Sequence, residues 1–346
     1  MAAKQPAKPE KTPYVKRGPT RRLDVRDADK WTKEDFAAVV PGLKHELQYK
    51  HFAEFCKAFW RVVEPTTPLV WSRHMDAICD EIQDIMDESD RRRRIAHSII
   101  SRHKGDEVGA AAEIETAIGT LPKLRIVLLV PPRNSKSTLV ERLLTLWRWL
   151  YRPEEQHLVL SAVESLLDDN GRALRDALLS AEYAAIQSYL MATNRLAQGD
   201  KKRGCPPGQA FTLRSDQRAT ANFANTAGGA RLGYVVSGTY VGVNADVITL
   251  ADVHKIADGL SDTTSPAMKL RAMSEVRSLY KDTIQDRLIS KRWGVIILIM
   301  QRVHEKDLAD YMIMMGATVV CLPVEYDPTH PHVYKKDWRT LPGELL

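Results

Sequence analysis

Five short, uninterrupted apolar runs limit what this chain can fold into: Arg125–Val130 (RIVLLV), His157–Ala162 (HLVLSA), Val247–Leu250 (VITL), Val295–Met300 (VIILIM) and Thr318–Leu322 (TVVCL). Each is strand-sized, and most are separated by stretches with helical spacing. A strand that is apolar on both faces needs cover on both faces, and parallel strands need long crossovers that helices supply. The pattern therefore predicts an α/β fold, a mostly parallel sheet with helices on both faces, over residues 123–325. Phe211–Arg214 and Arg231–Val236 read as further short strands, and Thr138–Leu150 and Pro266–Ser290 as helices. None of the runs approaches the roughly 20 apolar residues that a bilayer demands, so no membrane span is expected.

Ahead of that core, residues 31–122 read as a helical N-terminal region with a charged insertion. Phe52, Phe55, Phe59 and Trp60 recur at helical spacing, and a further helix runs from Ser72 to about Glu88. Arg91–Arg94 open a charged segment that continues to about Gly105, readable either as phosphate contacts or as a solvated helix end. Residues 1–30 carry nine of the 50 Lys and Arg residues but four of the 44 Asp and Glu residues. This basic, Pro-containing tail is expected to be disordered, serving either as a weak polyanion contact or as a solubilising leader. The N-terminus lacks an apolar signal segment. Cys56, Cys79, Cys205 and Cys321 lie far apart with no metal spacing and read as reduced structural thiols of a cytosolic protein.

The chemistry concentrates in Val130–Thr138, VPPRNSKST, where a buried strand runs through a short loop into Lys-Ser-Thr and a helix. Phosphate binding needs backbone N–H groups at a helix start, a lysine for the β and γ oxygens and a hydroxyl for Mg²⁺. Lys136 fits the lysine and Ser137 the hydroxyl. Val130 and Ser135 stand where the G-x-x-x-x-G-K-[ST] pattern has glycines. The strand Val247–Asp252 (VITLAD) ends in a carboxylate suited to a metal or an attacking water. An ordinary strand-ending Asp is the plainer alternative.

Four segments in order, LLVPPRNSKSTLV, ANFANTAGGARLGYVVSGTYVGVNADVITLADVHK, VIILIMQRVHEKDLADYM and VVCLPVEYDP with GELL, resemble the large terminase subunit of tailed bacteriophages. The resemblance covers roughly residues 70–346. It implies an additional-strand P-loop ATPase that drives DNA into proheads, with ATP and Mg²⁺ as cofactors. Residues 326–346 would begin a linker toward a nuclease domain, and nuclease activity is not expected of these residues. By the same resemblance, Pro132, Arg133, Asn134, Ser135, Lys136, Ser137 and Thr138 bind the nucleotide and Ser137 and Asp252 the metal. Asp252 orients water, and Gln301 and Arg302 couple hydrolysis to DNA movement; a turn-capping pair is their plainer reading. Trp71 and His74 either border the adenine or pack a helix. His304, Glu305 and Asp307 match the element that follows.

Implied partners are double-stranded DNA held by its backbone, a portal protein and prohead, a small terminase subunit and further copies in a ring, all in the host cytoplasm. Three features depart from the family. Ala251 stands where the first, metal-linked acid belongs, Val243 replaces a candidate arginine finger, and the loop glycines are missing. One reading is an active motor, with Asp246 or Asp252 serving the metal and Arg231 or Arg302 the charge. The other is a weakened domain acting as a nucleotide-binding or portal-docking scaffold.

Overall fold

The structure, a computed structural model, describes residues 33–206, 208–214, 220–240, 242–254 and 264–346, with side chains from Val40 onward. The basic tail at residues 1–30 lies outside the described residues. The chain divides into two units, Met1–Lys44 and His45–Leu346. Helix α1 (Lys33–Lys50) crosses that division, and everything below concerns the second unit.

That unit is an α/β fold around a seven-stranded sheet. In chain order its elements are α2 (Phe52–Val63), α3 (Arg73–His103), α4 (Glu107–Ile114), β1 (Arg125–Leu129), α5 (Leu144–Tyr151), β2 (Gln156–Ser161), α6 (Glu164–Leu178) and α7 (Ala181–Ala192). There follow β3 (Phe223–Ala224), β4 (Ala230–Val235), β5 (Val247–Ala251), α8 (Pro266–Asp282), β6 (Val295–Ile299), α9 (Leu308–Met314) and β7 (Thr318–Cys321). The strand order is β3-β4-β2-β5-β6-β1-β7. All pairings are parallel except β3 with β4.

The apolar runs do what their composition dictates. Alternate residues enter two cores: Ile126 and Leu128 of β1 pack with α2, α3 and α5–α7, whereas Val127 and Leu129 pack with α8 and α9. Both faces are thus covered, and the first core draws on Phe52, Phe55 and Met86 as well as the sheet. Residues 52–86 therefore belong to the same core as the strands. Residues 326–346 also join this unit: Trp338 and Leu346 pack on the first core, and buried Arg339 donates to the carbonyls of Pro323, Val324 and Glu344.

Several expectations need correction. The helix begun near Ser72 does not end at Glu88 but runs unbroken to His103. Arg91 and Arg92 pair with Glu88 one turn back; Arg92 also donates to the carbonyls of Pro122 and Arg292, and Arg93 pairs with Asp246 at 2.7 Å. Partners distant in sequence thus convert a charged run into a packed helix, and Arg92 and Arg93 are buried, not solvated. The helix after the phosphate loop opens with a π turn, Thr138–Leu143, closed by Leu144 N–H on the Leu139 carbonyl. Phe211–Arg214 forms no strand, only an isolated bridge from Leu213 to Asn225. The helical stretch from Pro266 stops at Asp282 and not at Ser290, and a short 3₁₀ turn follows at Ile284–Arg287.

Candidate phosphate-binding site

Because β1, β2, β5 and β6 are parallel, their carboxyl ends meet along one edge of the sheet, where ligands of open α/β sheets bind. Val130–Ser135 leave β1 there, and the helical turn begins at Lys136. Two loop residues, Arg133 (φ 63°) and Ser135 (φ 59°), are left-handed. In the phosphate-loop pattern a glycine fills the second of these positions, because only glycine adopts such a φ without strain. Ser135 adopts the same conformation, so the turn is built without the glycine. The Asn134 amide braces it, donating to the carbonyls of Pro131 and Pro132 at 3.2 Å. His74 of α3 bonds to the Asn134 backbone of the loop and to Ser72 Oγ at 2.8 Å. Trp71 donates its indole N–H to Asp76 at 2.7 Å.

Lys136 is buried, and its ammonium donates to the carbonyls of Val130 and Pro131 within its own loop. Burial lowers its pKa, and the Asp252 carboxylate opposes that shift. Asp252 follows β5 in a left-handed conformation (φ 44°), its N–H on the Ile299 carbonyl at 2.9 Å. Burial raises its pKa, while Lys136 and the Gln301 backbone N–H hold it down. Lys136, Asp252 and Gln301 therefore converge, carried by β1, β5 and the end of β6.

The remaining predicted residues divide. Ser137 turns its hydroxyl to Glu141 one turn further on, and Thr138 turns its own to Glu64 at 2.9 Å. Arg133 and Pro132 are exposed. Arg302 is engaged elsewhere, paired with the fully buried Asp307 at 2.9 Å and bonded to the carbonyls of His304 and Glu305. Asp307 also caps α9, so this cluster fixes a turn. Asp246 lies at the opposite end of β5, about 20 Å from Asp252 at the usual strand rise, and is committed to Arg93 and the Gln156 N–H. It cannot share a metal with Ser137. The NTAGG segment is also remote. Asn225 accepts from the N–H groups of Ala227 and Gly229 and donates to Pro153, making the turn into β4.

The sequence reading missed Glu141, which is 3% exposed and lies one turn beyond Ser137. Burial pushes its carboxyl up to about 7, against Arg231, Asn170 and the Ser137 hydroxyl, which favour the charged form. The four-residue spacing from Ser137 was the available signal.

Among the described residues no group of three or more His, Cys, Asp or Glu side chains could hold a metal by itself. Mg²⁺ commonly takes one or two protein oxygens and fills its shell with phosphate and water, and the Ser137 hydroxyl with Asp252 fits that demand. No described helix is long and apolar enough to cross a membrane. Neither a family model nor a curated protein matches the chain.

Proposed function

We propose that this chain is the ATP-hydrolysing motor domain of a terminase-type DNA packaging machine. The observation that carries the reading is the buried Lys136, at the start of a helix behind a left-handed loop, sharing an electrostatic environment with Asp252 one strand beyond the neighbouring one. Strand β6 lies between the loop strand and the acid strand, so Lys136 and Asp252 face each other across it.

On this reading the backbone N–H groups at the helix start take phosphate oxygens, and Lys136 exchanges its two loop carbonyls for the β and γ oxygens. Bound Mg²⁺ would neutralise triphosphate charge, held on the protein side by Ser137 and Asp252. Asp252, fixed by the Gln301 N–H, orients water toward the terminal phosphate. Gln301 also links the site to the turn that Arg302 and Asp307 lock, a route by which nucleotide state reaches a DNA-gripping surface. Duplex DNA is held by its backbone, since a packaging motor must accept any sequence. Portal, prohead, small terminase subunit and neighbouring copies in a ring are the partners, in the host cytoplasm.

The test is Mg²⁺-dependent ATP turnover with and without linear duplex DNA. Turnover abolished by Lys136→Ala and by Asp252→Ala in folded protein is the expected result. Turnover retained in Lys136→Ala overturns the assignment. Ala251 favours a second reading, a nucleotide-binding scaffold, which predicts ATP binding without turnover.

A further inference from the structure

We infer that Glu141 is a positioning residue for the Ser137 hydroxyl and gives the site the second carboxylate that Ala251 cannot provide. The inference rests on the nucleotide-site reading above. Glu141 projects from the π turn, a local widening that often marks functional positions. Its Oε2 accepts from Asn170 Nδ2 at 2.9 Å, and Asn170 Oδ1 accepts from Arg142 Nε at 2.7 Å. Arginine can only donate, so the amide cannot flip: its oxygen must face Arg142 and its NH₂ group Glu141. One carboxyl oxygen is thereby anchored, with the Ser137 hydroxyl facing the same carboxyl group and Asp252 within electrostatic reach.

A structural explanation would have Glu141 neutralise buried Arg231, but the two form no ion pair. Arg231, fully buried in β4, leaves Nε and Nη2 without hydrogen-bond partners. Arg231 favours the ionised carboxyl through its charge, but the carboxyl's direct contacts are to Asn170 and the Ser137 hydroxyl. Buried partners of this kind orient a metal-binding side chain, and losing one typically weakens metal affinity by about 10- to 100-fold.

The experiment compares the wild type, Glu141→Gln and Glu141→Gln/Ala251→Asp. Binding of a fluorescent ATP analogue is measured in EDTA, and Mn²⁺ affinity in the presence of ATP by electron paramagnetic resonance. Glu141→Gln should bind nucleotide normally in EDTA yet lose about tenfold in Mn²⁺ affinity, and the double variant should recover it. Unchanged Mn²⁺ affinity in Glu141→Gln overturns this inference and leaves the nucleotide reading standing. Equal losses in both arms also overturn it, since Glu141 would then shape the loop and not the hydroxyl. A wild type that binds no nucleotide overturns both. Should Glu141→Gln fail to fold, Glu141→Asp, which withdraws the carboxyl by one methylene, answers the same question.

Discussion

Lys136 and Asp252 hold each other charged: burial works against the ammonium and the carboxylate alike, and each is the principal charge opposing the other's shift. They stand on strands separated by β6, so the sheet and not a local turn sets their spacing. Asp252→Ala removes the countercharge while Lys136 stays buried, so the lysine pKa falls further. The ammonium is the form that grips phosphate. Metal-free nucleotide affinity should therefore decay at a lower pH in Asp252→Ala than in the wild type, read by fluorescence titration from about pH 7 to 10. Superimposable pH profiles would show that the two residues are independent.

Ser135 pays for the missing glycine with a left-handed backbone, a conformation costing an L-residue about 1–2 kcal/mol. Ser135→Gly should keep nucleotide affinity and leave the melting temperature level or slightly higher, since strain relief offsets the greater unfolded-state freedom. Ser135→Val should distort the loop, because a β-branched residue at positive φ is a genuine outlier. A loss of about tenfold in ATP affinity with little change in the melting temperature is expected, corresponding to about 1.4 kcal/mol. Equal affinity in the Gly and Val variants would refute a role for this dihedral.

The sheet and the convergence of Lys136, Asp252 and Gln301 were legible in the sequence, since continuous apolar strands fix a parallel sheet and a parallel sheet gathers its strand ends. The full length of α3 was not. Arg92 and Arg93 are helical because Pro122, Arg292 and Asp246, up to 200 residues away, receive them. Ser135 was visible only as an absent glycine, because a one-letter code does not carry φ. Arg302 sits one residue beyond Gln301, yet Asp307 claims its side chain. Glu141 was in plain view at helical spacing but became a candidate only once β5 and α6 were packed against its turn.

Glu141 also makes stability pH-dependent. Its carboxyl has a folded-state pKa of about 7, above the usual carboxylate value. The folded state therefore binds the proton more tightly than the unfolded chain does. The stabilisation is fully present below about pH 4.5 and is lost as pH rises through about 7, a change on the order of 3 kcal/mol. Glu141→Gln mimics the protonated form and should remove this component. Urea unfolding in EDTA at about pH 5 and pH 8 should show the variant gaining on the wild type at the higher pH, and a constant difference would refute it.

Arg93 and Asp246 tie α3 to the start of β5, at the sheet edge opposite the phosphate loop. Both side chains are buried, and Asp246 also receives the Gln156 N–H at 3.0 Å. Asp246→Ala leaves a buried guanidinium without its carboxylate, which typically costs about 3–5 kcal/mol. Replacing both partners, as Arg93→Met/Asp246→Leu, removes the stranded charge and should recover much of that loss, leaving the cost of the unpaired Gln156 N–H. Nucleotide affinity of either folded variant in EDTA should match the wild type, since about 20 Å of strand separates the pair from Asp252. A parallel loss of ATP affinity would instead make Asp246 part of the site and return it to candidacy as the missing acid.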